Sequence, residues 1–222
     1  MPIIQIIYKI SISLTKYYVK VNRGEYEFPD FSDYCPICSK ENCARFLRFY
    51  HRPVVTKEGI YYKDFPIIRY KCENKGNKKI KDVTFSLLPH ELIPYVKYSI
   101  EFIFRILFDI QVRNMSVKAA LDIISQLCSE EILCMSPVTV NNFKCCILKG
   151  IDRLGISKLY YEIKDIINTP DRFHRLRLFV IYLYRINHIR SPCEYSYDFY
   201  VKLGGYKTNS PFLWGIPYQF RR

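Results

Sequence analysis

The sequence predicts an α+β protein: an N-terminal β-rich zinc ribbon over residues 1–92, then a helical bundle containing a helix-turn-helix over residues 93–222. Three observations predict it. Tyr-Cys-Pro-Ile-Cys at 34–38 has the two-residue cysteine spacing of a tight turn that aims two thiolates at one tetrahedral ion. Two runs rich in aromatic and β-branched residues, Arg45–Val55 and Ile60–Tyr70, flank Lys57-Glu58-Gly59 as the arms of a hairpin. From about residue 93 onward, apolar residues recur at helical spacing and serines precede the helical runs.

Taken in order, Ile3–Leu14 and Tyr17–Val21 alternate apolar and polar residues as strands do, and Asn22-Arg23-Gly24 closes them with a turn. Gln5 and Lys9 interrupt the apolar start, so the opening is not patterned as a secretory signal. The nine cysteines are then those of a reduced, cytoplasmic protein. Cys35 and Cys38 are followed by Cys43, and Cys72 stands at the far end of the hairpin. Zinc is the expected ion, with Cys35, Cys38 and Cys72 as ligands and Cys43, His51 or His90 as the fourth. A redox role for the Cys-x-x-Cys pair needs a helix to follow it, whereas a strand-like run does.

Beyond Cys72, Lys75, Lys78, Lys79 and Lys81 lie in a polar loop suited to contacting phosphates. Thr84–Pro89 returns to apolar character. Ile93–Val112 is apolar enough to resemble a membrane span, but Lys97, Glu101, Arg105 and Asp109 recur every four residues with alternating sign. That spacing predicts a soluble helix beginning at Pro94, with its ion pairs on one solvated stripe, each worth roughly 0.3–0.5 kcal/mol.

Ser116 is expected to cap a helix over Val117–Leu127, and Ser136-Pro137 to open a second that Gly155 ends. Val140, Phe143, Ile147 and Ile151 form its apolar face, to dock on Leu121 and Ile124. Thr139, Asn141, Asn142 and Lys144 are left near its start, where a recognition helix meets base edges. Leu159–Ile167 and Arg172–Ile189 also read as helical, the latter basic at both ends.

The run Cys35-Pro-Ile-Cys38, Tyr50-His51-Arg52, Ile68-Arg69-Tyr70-Lys71-Cys72 and Thr84-Phe85-Ser86-Leu87-Leu88-Pro89 resembles an uncharacterised bacterial family. Its members are similar to the zinc-ribbon and helix-turn-helix front ends of insertion-sequence transposases. The likeness covers roughly residues 30–155, with a weaker echo in Phe212–Pro217. It implies DNA binding associated with a mobile element. The chain departs from the pattern after Cys72, where Glu73-Asn74-Lys75 stands in place of a second Cys-x-x-Cys.

The charge balance points to the same class of partner. Lys and Arg number 34 against 21 Asp and Glu, a net +13 with a pI near 9.3, which favours a polyanion such as double-stranded DNA. A catalytic role is not expected. A two-metal strand-transfer enzyme needs three carboxylates on a ribonuclease-like core, and the chain beyond Leu154 is too short for one. Asp165, Asp171 and Asp198 fall on helix, cap and loop positions, and His174 and His188 have no evident carboxylate partner. The partners expected are therefore DNA and, for a split system, a separate transposase chain, with no membrane.

Overall fold

A computed structural model describes residues 4–73, 83–128, 135–157 and 161–202. They form a mixed α+β protein with one four-stranded sheet and seven α-helices among the described residues. The chain divides into two compact units, one of residues 1–53 and 63–89, the other of residues 54–62 and 90–222. No described helix is long and apolar enough to cross a membrane.

In the first unit the strands are β1 (Ile4–Tyr8), β2 (Ala44–Val55), β3 (Tyr61–Cys72) and β4 (Val83–Pro89), in the sheet order β1-β4-β3-β2. β1 runs parallel to β4, with Ile6 opposite Leu87, and β3 runs antiparallel to it, with Tyr70 opposite Phe85. Only β1 needs a long connection to reach its partner, as parallel pairing requires. Ile68, Tyr70, Phe85 and Leu87 form the buried centre of one face. The Tyr70 and Phe85 rings stack at 5.4 Å between centroids, and Phe31 stands edge-on to both. Such pairs add about 1 kcal/mol each beyond the area they bury.

The segment Tyr17–Val21, which alternates like a strand, is instead the body of helix α1 (Leu14–Asn22). Ser13 caps it, accepting from the Lys16 amide at 3.4 Å, and Leu14 and Tyr17 are both buried. Those two side chains share a helical face three residues apart, and the Tyr17 ring stacks on Phe65 at 5.4 Å. Burial of that pair overrides the strand preference of Tyr, Tyr and Val. The turn expected after it is present, with Gly24 at φ 71°.

The second unit begins with the tip of the β2–β3 hairpin. Thr56 and Gly59 close the turn through a 3.0 Å hydrogen bond from the Gly59 amide, with Gly59 at φ 83°, a conformation that glycine alone adopts cheaply. Val55 donates to the Lys97 carbonyl at 2.7 Å and accepts from the Ser99 amide at 2.9 Å, so the tip is stitched to the chain ahead of helix α2 (Ile100–Gln111). That helix packs against four others: α3 (Val117–Leu127), α4 (Pro137–Ser157), α6 (Arg172–Ile186) and α7 (Pro192–Lys202). The short α5 (Lys164–Ile167) packs on α4 and α6.

Two expectations about α2 are corrected. It starts at Ser99, whose hydroxyl accepts from the Phe102 amide at 3.3 Å, because Tyr95 at φ 63° breaks the turn opened by Pro94. Its charges are not one solvated stripe either. Lys97 precedes the helix, Glu101 pairs with Lys57 of the hairpin tip at 3.7 Å, and buried Asp109 pairs with Arg113 at 2.9 Å. Being central, α2 buries most of its circumference, so its acids find partners on whatever packs beside them.

Ser116 does cap α3, accepting from Ala119 at 3.1 Å, and Ser136 caps α4, accepting from Thr139 at 3.2 Å. α4 runs through Gly155 to Ser157 instead of ending there. Asp198, expected on a loop, lies in α7, a helix with a reciprocal cap. Ser191 accepts from the Glu194 amide at 3.4 Å, and the Glu194 carboxylate accepts from the Ser191 amide at 3.2 Å. Asp198 pairs from it with Arg190 at 3.4 Å.

Candidate metal centre

The strongest constellation lies at the open end of the hairpin. The loop from Cys35 to Cys43 coils tightly: the Cys35 amide donates to the Lys40 carbonyl at 3.0 Å, and its carbonyl accepts from the Ser39 amide at 2.8 Å. Ser39 and Asn42 are left-handed, at φ 60° and 50°. Asn enters that region readily, whereas Ser does so at some cost, so the loop is held by more than local preference. Cys43 immediately precedes β2 and Cys72 ends β3, and the Glu73 amide donates to the Cys43 carbonyl at 2.7 Å. Pairing of the two strands therefore sets the second pair of thiols beside the first.

The Sγ atoms of Cys35, Cys38, Cys43 and Cys72 all lie within 4.8 Å of one another, and together they can hold a metal ion. Cys38 and Cys43 are 3.0 Å apart, and Cys43 and Cys72 are 3.8 Å apart. A tetrahedral zinc with bonds of about 2.3 Å needs sulfur–sulfur separations of about 3.8 Å, inside this range. Cys35, Cys43 and Cys72 are buried and Cys38 is half-buried. All four positions are filled by protein, the pattern of a structural ion and not of one that binds a reacting water.

The thiols share protons unevenly. Burial pushes Cys43 upward, reinforced by the neighbouring sulfurs, and pushes Cys72 up to about 12. Burial also opposes ionisation of Cys38, but hydrogen bonds from Cys43 and from the Lys40 backbone bring it down to about 7. A divalent cation changes that balance, because its charge allows all four to ionise.

Of the alternatives for the fourth ligand, His51 is exposed along β2, and His90 is buried in the second unit against Tyr197. Cys43 is the residue brought to the cluster. Lys75, Lys78, Lys79 and Lys81 lie outside the described residues. Thr139, Asn141, Asn142 and Lys144 occupy the first turns of α4. Asn141 is exposed and the other three are half-buried, and the Thr139 hydroxyl is 3.1 Å from that of Ser136. Val140, Phe143, Ile147 and Ile151 are buried as expected. Most of the stretch between α3 and α4 lies outside the described residues, so the expected helix-turn-helix is seen only as its two helices.

Two groupings went unread in the sequence. Cys193, at the start of α7, donates to Glu101 at 3.4 Å, and Glu91 lies buried close to that carboxylate. On β2, Arg45, Phe46, Leu47 and Arg48 are all exposed, where alternation predicts every second residue covered. The first could not be found by spacing, since its members are far apart in the chain. The second was hidden by an apolar composition that suits a core strand. No family model, curated protein or solved structure matches the chain.

Proposed function

We propose that this is a zinc-stabilised protein that binds double-stranded DNA, of the accessory or regulatory kind that serves a mobile element. The observation that carries the reading is the four-cysteine cluster. A closed thiolate site of this kind fixes the shape of a small unit and performs no chemistry, which suits a binding module. The net charge of +13 supplies the attraction to a polyanion. The link to a mobile element is supported by the ordered set of motifs from Cys35 to Pro89 that resembles transposase front ends. In this reading Lys75, Lys78, Lys79 and Lys81 neutralise phosphates, while Thr139, Asn141, Asn142 and Lys144 meet the duplex at the start of α4.

The test pairs metal analysis with a salt titration of duplex binding. One zinc per chain is expected, lost in a Cys35→Ser/Cys38→Ser variant. Duplex affinity should fall steeply with salt, and replacing the four loop lysines by Ala should lower the slope by a few units for all sequences alike. Asn142→Ala should cost roughly 1–3 kcal/mol at a preferred site and leave non-specific binding unchanged. Zinc retained by the double variant, or duplex binding insensitive to salt, would overturn the reading.

A further inference from the structure

We infer that the N-terminal half of β2 docks an unpaired nucleic-acid strand, one base of which stacks on Phe46. This rests on the reading of the chain as a nucleic-acid-binding protein and specifies the form of target the first unit accepts. β2 is an outer strand of the sheet. Arg45, Phe46, Leu47 and Arg48 are exposed in succession, so neither face of the strand is covered there. Phe46 is 57% and Leu47 41% exposed, a large apolar area to leave in water.

The Phe46 ring is not a loose side chain. It forms the outer end of a column of rings, 5.5 Å from Phe49, which lies 5.6 Å from Phe28, which in turn meets Tyr17 at 6.3 Å. Tyr17 is fully buried and stacks on Phe65. An aromatic ring anchored at its inner edge loses little freedom when a flat partner settles on it. The surrounding charge identifies that partner. Residues 45–52, Arg-Phe-Leu-Arg-Phe-Tyr-His-Arg, contain no acid. Arg48 and His51 are exposed, and Arg45 is tied to Glu73 at 3.1 Å with most of its side chain still open.

A ring between cations fits a base between phosphates. Every base offers a π face, so stacking needs no particular sequence, but a duplex hides those faces and an unpaired strand exposes them. An apolar protein partner would strip water from Arg45 and Arg48 without compensation. A second copy pairing along the same edge would set these arginines against their own counterparts, which disfavours it.

The test uses the full chain loaded with metal, and follows by anisotropy a labelled short oligothymidylate and a blunt duplex of mixed sequence. Phe46→Ala should weaken the oligothymidylate roughly tenfold or more and change the duplex by less than about twofold, while Phe46→Trp should keep both affinities. Arg48→Glu, at an exposed position, should weaken the oligothymidylate by a similar factor even if Phe46→Ala proves to fold poorly. Melting curves and metal content establish that each variant is intact. Unchanged oligothymidylate affinity in folded Phe46→Ala and Arg48→Glu overturns the inference while leaving duplex binding standing. A dimer that Phe46→Ala converts to monomer, with the oligothymidylate affinity unchanged, overturns it in favour of self-pairing. Wild-type protein that binds neither probe removes the nucleic-acid reading and this inference together.

Discussion

The two units reach order by different means. The second surrounds α2 with four helices, and its interior is mainly aliphatic and aromatic, with Ile103, Leu107, Val140, Phe179 and Leu183 all buried and a few polar groups such as Glu91 and Asp109 among them. The first has a single small sheet, and its buried cluster includes Cys35, Cys43 and Cys72 among Ile68, Tyr70, Phe85 and Leu87. Thiols that occupy core positions in an apolar unit make that core depend on what the thiols hold. Burial that suffices for a helical bundle is, in a small β-unit, shared with a thiol cluster that can hold a metal ion.

Under the proposed zinc-stabilised reading, the largest effect that can break this contrast is removal of the ion from the four-cysteine cluster. Structural zinc contributes on the order of ten kcal/mol to small domains, far more than the first unit can otherwise spare. Chelation, or Cys35→Ser/Cys38→Ser, should expose amides in residues 4–53, 63–73 and 83–89 to hydrogen exchange while α2, α4 and α6 stay protected. Uniform loss of protection across both units would mean that they are one cooperative body. The converse variant is Phe179→Ala, at a fully buried position in α6. It should cost about 3–5 kcal/mol, melt the helices first and leave metal content unchanged.

A smaller effect sharpens the comparison from the second unit's side. Burial, then repulsion from Glu101, raises the Glu91 carboxyl to about 7, with Lys57 opposing and Glu58 adding a little. The folded protein therefore holds a proton that the unfolded chain releases. That contribution is complete below pH 4.5 and is lost as the pH rises through about 7. Glu91→Gln should stabilise the helical unit at pH 8 by on the order of 2 kcal/mol, read as a raised melting temperature, and flatten the pH dependence of its stability between those limits. An unchanged slope would show that folding does not raise the Glu91 carboxyl. The smallest effect expected is at Ser116, where removing the hydroxyl that caps α3 (Ser116→Ala) should cost about 1 kcal/mol. Thermal melts of the paired variants measure it.

Local signals decided a good part of this molecule. The hairpin turn at Lys57–Gly59, the bounds of α3 and the serine that opens α4 follow from glycine at positive φ and from hydroxyls placed ahead of apolar runs, both short-range effects. Cys35 and Cys38 were legible as a pair because their spacing alone shapes the turn. The cap of α7 was legible too, as Ser191-Pro-Cys-Glu194, though the aromatic run behind it obscured the signal. What long-range packing decided lay outside the reach of any window of sequence. Strand pairing chose Cys43 over His51 and His90 as the companion of Cys72, because Cys43 alone stands opposite the end of β3. Stacking of Tyr17 on Phe65 turned an alternating segment into α1. The outer place of β2 left Phe46 and Leu47 in water although their composition suits a core. Periodicity records which residues can share a face; only the assembled chain fixes whether anything covers it.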